Sequence, residues 1–432
     1  MRKNKVDIIS LGCSKNLVDS EHLIRQFQAC GYTVAHNPKR IDGEIVVVNT
    51  CGFIRAAQEE SINVILKLGQ AKKEGKLRKL IVMGCLSERF LDQLKQELPE
   101  VDKFYGKFNW KQMLGDLGKT YRDDIANERY VSTPSHYAYL KIAEGCNRFC
   151  AFCAIPLITG RFKSVPIDDL LAEVRSLASR GVKEFNVIAQ DLSSYGLDLY
   201  GKMMLPELID RMAGIPGVEW IRLHYAYPTQ FPYDILPVMQ AHDNVCNYLD
   251  IALQHASDKV LSNMQRHITK AEQIELINRM RREVPGIHIR TTLMVGFPGE
   301  GEEEFQELMQ FVRDMRFERM GAFAYSEEEG TYAARAYADS IPEQVKQDRL
   351  QQLMDLQERI SQEIQNEKVG KTLRVIVDRE DEDYYVGRTQ WDSPEVDPEV
   401  LISKTVPLTP GQFCQVKIND ALPFELMGEV VQ

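Results

Sequence analysis

Residues 140–156 read LKIAEGCNRFCAFCAIP, an apolar run followed by three cysteines, Cys146, Cys150 and Cys153, spaced CxxxCxxC. The run predicts a strand over 139–142, so the three thiols fall in the loop at its carboxyl end. Such spacing lets one loop wrap three thiolates around one inorganic centre. Structural zinc takes four ligands in a closed tetrahedron, whereas a 4Fe-4S cluster held by three cysteines keeps one iron open to an outside ligand. Two other readings stand beside the cluster: a zinc site completed by His136 or His224, and a redox pair made of Cys150 and Cys153 alone. The zinc reading lacks the paired CxxC knuckles usual in zinc loops, and the redox pair leaves Cys146 idle.

Downstream of this loop, apolar runs at 184–188, 218–223, 248–251, 287–295 and 319–325 alternate with amphipathic stretches such as 168–180, 271–282 and 302–315. With the first strand these make six βα repeats, a partial (βα)6 barrel over 132–340 rather than a complete eightfold one. Upstream, strands at 6–11, 44–49, 80–83 and 101–105 alternate with helices at 20–29, 56–68 and 87–97, a parallel α/β domain within 1–125. Asp19 reads as an N-cap there and Gly31 as a helix stop. Residues 341–368 read as one long polar linker helix. Short β-branched runs at 373–377, 384–388, 400–404 and 413–418 then predict a small antiparallel β-barrel over 369–432. The fold class is therefore α/β with an appended β-barrel.

A second cysteine set emerges from this layout. Cys13, Cys51 and Cys85 each lie just past a predicted parallel strand, in VDIISLGC, EIVVVNTC and LIVMGC. In open α/β sheets ligands sit at that carboxyl edge, so the three are expected to converge on a second cluster, although buried thiols are common in cores. Cys30, Cys246 and Cys414 follow no such pattern and read as core residues. Candidate pocket residues come from the same edge argument applied to the barrel: Gln190 and Asp191 end its second strand, Gln254 and His255 follow the fourth, and Arg290 lies in the fifth. For each, a loop hydrogen bond or an ion pair is the plain alternative.

Composition narrows the function. Lys+Arg 53 against Asp+Glu 63 gives 53 − 63 = −10, which supplies no general attraction to a phosphate backbone. The last block carries six basic residues against twelve acidic ones, 6 − 12 = −6, and so favours a basic protein surface over RNA. Nucleic acid is not expected as the primary ligand. No apolar run approaches a membrane span of about 20 residues, and Asp7 interrupts the start of the chain, so neither membrane nor signal peptide is expected. Nine cysteines, an odd number in a large chain, argue against a disulfide framework, and the location read from these features is cytoplasmic.

The strings SLGCSKNLVDSE, VNTCGFIRAAQEES, GCLSER and LKIAEGCNRFCAFCAIP resemble the radical S-adenosylmethionine (AdoMet) methylthiotransferases, and within them the RimO branch rather than the tRNA-modifying MiaB branch. The resemblance covers nearly the whole chain. It implies an N-terminal methylthiotransferase domain, a radical AdoMet domain and a TRAM-like barrel. The chain departs from the family at 159–166, TGRFKSVP, where two arginines of an RGxxxSRP segment are missing, and at Gly301, where threonine is common. What the resemblance implies is two 4Fe-4S clusters, on Cys13, Cys51 and Cys85 and on Cys146, Cys150 and Cys153. AdoMet would bind the open iron of the latter, one electron splitting it to methionine and a deoxyadenosyl radical. Phe152, Gln190, Asp191, Gln254 and Arg290 are the candidate AdoMet contacts, Arg290 for its carboxylate. The second cluster would carry the inserted sulfur, drawn from sulfide or polysulfide, and a second AdoMet the methyl group. The implied reaction is β-methylthiolation of an aspartate in small-subunit ribosomal protein S-twelve, free or in the ribosomal subunit, with a low-potential donor such as a flavodoxin. The alternative is the same chemistry on a tRNA adenosine.

Overall fold

In the computed structural model, which describes residues 2–431, five parallel strands open the chain. They are β1 (Arg2–Ser10), β2 (Thr33–His36), β3 (Gly43–Thr50), β4 (Lys79–Gly84) and β5 (Lys103–Phe104), in the order β2-β1-β3-β4-β5. The pleat sends alternate residues to opposite faces. Ile45 and Val47 therefore pack with Leu23, Ile24 and Phe27 of helix α1 (Ser14–Ala29). Val46 and Val48 pack with Ile65 and Leu68 of α2 (Arg55–Lys73) and Leu86 and Leu94 of α3 (Cys85–Glu97). Burial on both faces explains why the central strands read as continuous apolar runs. The edge strand β2 escaped the sequence reading because its residues are only half-buried or exposed.

One expectation fails here. Helix α1 begins at Ser14 with Cys13 as its N-cap, so Asp19 lies within the helix. Instead of capping, its buried carboxylate pairs with Lys107 at 3.4 Å and with Lys141.

The second sheet has six parallel strands in chain order, β6 (Tyr137–Lys141), β9 (Glu184–Ile188), β10 (Trp220–Ala226), β11 (Val245–Gln254), β12 (His288–Val295) and β13 (Arg319–Ala324). A two-stranded ribbon, β7 (Ala143–Glu144) with β8 (Lys163–Ser164), flanks the cysteine loop. Because β6 and β13 do not pair, the barrel stays open. The 343–366 helix is more than a tether, since Leu353, Leu356 and Ile360 enter the main barrel core.

The last block is a closed five-stranded barrel of β14 (Thr372–Glu380), β15 (Tyr384–Thr389), β16 (Glu399–Ser403), β17 (Phe413–Leu422) and β18 (Glu425–Val430), ordered β14-β15-β16-β18-β17. The expected purely antiparallel arrangement is corrected at one pair, for β16 and β18 run parallel. A ring of five strands cannot alternate direction all the way round, so one parallel pair is unavoidable.

Residues 388–397 of this barrel close the amino-terminal mouth of the open one, touching all six of its strands. Glu395 accepts from Tyr137 and Tyr139, and Arg388 pairs with Glu184 at 2.7 Å. Arg222 donates to the Gln390 carbonyl and Tyr248 to Asp397 at 2.8 Å. Trp391 stacks on His288 at 4.5 Å, and Arg319 pairs with Asp392. Asp378, Asp392 and Asp397 are thus neutralised inside the chain. With Arg388 also internal, the block offers 5 − 9 = −4 to the outside rather than −6.

Burial opposes ionisation of Asp378 and Asp392, but Arg388 and His136 in the first case, and Arg319, Lys368 and Thr389 in the second, outweigh it and hold both near 2. Both values lie below the ordinary carboxylate value of about 3.9. Their contribution is therefore complete above that value and is lost as pH falls from about 4 to about 2. Undocking of the barrel, followed by fluorescence of Trp220 and Trp391, is expected in that window. Arg388→Met, which takes one partner from buried Glu184 and from partly buried Asp378 while Arg222 and His136 remain, is expected to cost up to about 3–5 kcal/mol in urea denaturation. Arg55→Ala, which removes an exposed pair with Glu59, is expected to cost no more than about 0.5 kcal/mol.

Candidate active site

The carboxyl edge of the first sheet faces the carboxyl mouth of the open barrel across a cavity of about 330 Å³. Cys13, Cys51, Cys85, Cys146, Cys150 and Cys153 all line it. Their chain positions explain the convergence. Cys13 caps α1 after β1, Cys51 follows the last residue of β3, and Cys85 is the first residue of α3 after β4. Close approach of these turns needs glycine: a Cβ on Gly12, at φ +88°, would stand 2.7 Å from the Cβ of Cys51, and one on Gly52 would stand 2.6 Å from the Leu86 nitrogen. Asn16 pins the turns, its amide donating to the carbonyls of Leu11 and Thr50 at 2.9 and 3.0 Å. Its Oδ1 accepts from the Cys85 thiol at 3.7 Å.

The CxxxCxxC loop is fixed as firmly. Gly145 sits at φ +79° with the Arg161 carbonyl where a Cβ would be, 2.2 Å away, and Phe149 adopts φ +51°, strain of the kind stored at functional sites. Ala151 donates its amide to the Met264 carbonyl at 2.9 Å and accepts from the Ala333 amide at 2.7 Å. Arg266, buried and stacked on Tyr227 at 4.1 Å, donates to the Cys150 sulfur at 3.3 Å. The Arg148 amide reaches the Cys146 sulfur at 3.5 Å. Burial pushes the thiols of Cys85 and Cys146 up to about 12 and raises those of Cys51 and Cys153 as well. Left bare, these groups keep their protons; a bound cationic centre is what makes thiolates of them.

The spacing of the donors separates the two inorganic readings. Among the described residues, no group of three or more His, Cys, Asp or Glu side chains is close enough to hold a single metal ion. His136 is bonded to Asp378 and His224 to Asn186, so neither lines the cavity nor completes a zinc tetrahedron. Thiolates on three corners of an iron-sulfur cubane stand farther apart than three on one ion, and two sets of three thiols around one cavity fit such clusters.

The remaining candidates divide. Phe152 lines the cavity, its ring edge-on to Phe297 at 6.3 Å. Gln190 and Gln254 also line it, and each has a buried Oε1 without a hydrogen-bond partner, as an absent polar ligand would require. Asp191 stands one shell back, holding Arg148 at 2.7 Å, and it is Arg148 that reaches the cavity. Arg290 is corrected: it does not line the cavity, because Asp250 at 3.5 Å and Asp397 at 3.4 Å hold its guanidinium inside the barrel. His255 is likewise engaged, by Glu300 at 3.0 Å. Sequence reading missed Lys15, Lys107, Arg148, Tyr225, Tyr227 and Arg266, all of which line the cavity. Only Arg148, inside the cysteine motif, and Lys15, beside Cys13, carried a local signal.

Three family profiles match the chain. The one described as Uncharacterized protein family UPF0004 covers residues 5–106, Radical SAM superfamily covers 140–312, and TRAM domain covers 369–431. Fold and site together define a three-domain radical AdoMet transferase. Proteins described as Ribosomal protein uS12 methylthiotransferase RimO are 67% identical in Parabacteroides distasonis and 61% in Phocaeicola vulgatus, over all of both chains. A third, in Christiangramia forsetii, is 49% identical over 99% of this chain and 95% of its own. The chain belongs to this RimO family. Among solved structures, the radical AdoMet methyltransferase TsrM from Kitasatospora setae shares the fold at 14% identity, with a TM-score of 0.57 and 77% of each chain covered. The cobalamin-dependent enzyme OxsB aligns with a TM-score of 0.53 at 12% identity, over 82% of this chain and 56% of its own.

Gly145→Ala tests the tightness of the cysteine loop. Gly75→Ala, at φ +72° with nothing within 4 Å, is expected to cost only the backbone strain of about 1–2 kcal/mol. Gly145→Ala adds a backbone clash, so its loss in thermal denaturation is expected to exceed that of Gly75→Ala clearly.

Proposed function

We propose that this chain places a methylthio group on the β-carbon of an aspartate in ribosomal protein uS12, and that Cys146, Cys150 and Cys153 hold one 4Fe-4S cluster and Cys13, Cys51 and Cys85 another. The observation that carries the reading is the opening of both three-thiol sets onto a single cavity. When bound, the first cluster supplies the electron that splits AdoMet, and the second supplies sulfur drawn from sulfide or polysulfide. The chain's own residues do the holding. Gln190 and Gln254 offer unpartnered amide oxygens to the polar groups of AdoMet, while Phe152, Ile155, Ile158, Ala226 and Ala252 supply an apolar wall that keeps water from a reactive species. Arg148, braced by Asp191 and Ser194, and Arg266, braced by Tyr227, place positive charge beside the Cys146–Cys153 loop. No acid or base pair is needed to break an aliphatic C–H bond by hydrogen abstraction, in keeping with a cavity whose lining includes no carboxylate.

The net acidity of the chain and of its terminal barrel supports a basic protein substrate over tRNA, and the tRNA reading is not favoured by the relatives. No helix among the described residues is long and apolar enough to cross a membrane, and the site of action is proposed to be the cytoplasm, with a low-potential donor such as a flavodoxin.

Anaerobic purification with iron, sulfide and zinc analysis tests the metallocentres. About eight irons and no zinc per chain are expected. Joint replacement of Cys146, Cys150 and Cys153 by Ala should halve the iron and leave the other half in place; loss of all of it or none would contradict independent sites. Mass spectrometry of uS12 from cells with and without the gene tests the substrate, the methylthio mass shift being expected only with it.

A further inference from the structure

Four cationic side chains line the cavity, and three of them have their charge or hydrogen bonds answered within the chain. Lys107 pairs with Asp19 at 3.4 Å and Glu144 at 2.8 Å. Arg148 pairs with Asp191 at 2.7 Å, and Arg266 donates to the Cys150 sulfur and the Ala252 carbonyl. The fourth, Lys15, is nine-tenths buried and has no carboxylate within 4 Å among the described residues. Its ammonium lies 3.3 Å from the ring centroid of Tyr225, which also lines the cavity.

Lys15 is the second residue of α1, where the positive end of the helix dipole disfavours a cation. Burial adds a desolvation cost, which a ring face offsets only in part. The buried carboxylate that feels its charge, Asp250, accepts from the Tyr225 amide at 3.4 Å and is paired with Arg290 at 3.5 Å, so among the described residues no side chain gives the ammonium a directly bonded anion of its own. Lys15 follows Cys13 by two residues, and Tyr225 belongs to β10 of the barrel, so the ammonium stands where the two cysteine sets face each other.

We infer that Lys15 is the specificity residue for the side chain being modified, its ammonium pairing with the carboxylate of the substrate aspartate. This deepens the function proposed above and rests on it. An aspartate carboxylate is bonded directly to the β-carbon, so anchoring the one orients the C–H bonds of the other between the two metallocentres. The Tyr225 ring holds the ammonium in place until the carboxylate arrives. A nucleobase offers no such anion, and asparagine offers the same shape without the charge.

Binding of uS12 to the full, anaerobically reconstituted chain tests the assignment, with uS12 carrying asparagine at the modified aspartate as the second probe. A hydrogen-bonded charge pair of ordinary strength predicts that Lys15→Met weakens binding of uS12, and raises its KM, about 10- to 100-fold. The asparagine form should bind the parent and Lys15→Met chains about equally, and Lys15→Arg should restore part of the aspartate preference. Iron per chain, measured in parallel, should be the same in all three proteins. Equal binding of uS12 to parent and Lys15→Met chains would overturn the assignment, as would an equal loss for the aspartate and asparagine forms. If the parent chain neither binds nor modifies uS12, the substrate reading itself fails, an outcome distinct from both.

Discussion

Two sheets meet carboxyl edge to carboxyl edge, and a quartet of charges, two buried and two partly buried, holds them there. Asp19 of α1 and Lys107 after β5 come from the first domain; Lys141 of β6 and Glu144 of β7 come from the barrel. Each lysine touches both carboxylates, and the formal charges cancel. Burial opposes the charge on Glu144 and on Lys107, yet the two lysines keep Glu144 well below the usual carboxylate range, and the two carboxylates make Lys107 hold its proton more tightly than a free lysine. Such a set adds little net stability over an apolar equivalent, but it punishes any arrangement that separates the partners, by about 3–5 kcal/mol for a lost member. Its value is registration. Asp19 lies six residues beyond Cys13 and Glu144 two before Cys146, so fixing these carboxylates fixes both cysteine sets.

A second contact closes the rim on the other side. Glu328, in the loop after β13, accepts from Arg89 at 3.0 Å, from Gln58 at 3.1 Å and from the Arg55 amide at 3.0 Å. At the opposite end, residues 388–397 of the C-terminal barrel plug the amino-terminal mouth, the Gln390 carbonyl accepting from Arg222 while Asp397 pairs with Arg290 and Asp392 with Arg319. The terminal barrel is thus a structural floor to the radical domain, and what remains of its negative charge faces outward. Arg222 and Arg290 also have partners within the open barrel, Glu184 and Asp250, whereas the carboxylate that pairs with buried Arg319, Asp392, comes from the terminal barrel.

Much of this was legible in the sequence, for physical reasons that differ by element. The cysteine positions could be read because a parallel strand ends at one edge of its sheet, so SLGC, VNTC and VMGC had to present their thiols together. The six-repeat count followed from apolar runs of buried strands. What escaped was long-range charge pairing: nothing local in Lys107 or Glu144 announces a partner in another domain. Arg290 shows a related limit: it is the third residue of β12, toward the amino-terminal mouth rather than the carboxyl edge, and Asp250 and Asp397 claim it there. Asp19 misled as a cap because a helix start set by Cys13 has no conventional capping side chain. Strands β2 and β18 were missed where half-buried or glycine-interrupted runs weaken the alternation.

The claim on which the account turns is that two separate iron-sulfur centres face one another across a shared cavity. Anomalous diffraction at the iron edge from anaerobically grown crystals of the reconstituted chain measures it directly. The account predicts two iron clusters, one bonded to Cys13, Cys51 and Cys85 and the other to Cys146, Cys150 and Cys153, with only cavity between them. A single cluster, a zinc signal at either thiol set, or protein packed between the two centres would contradict it.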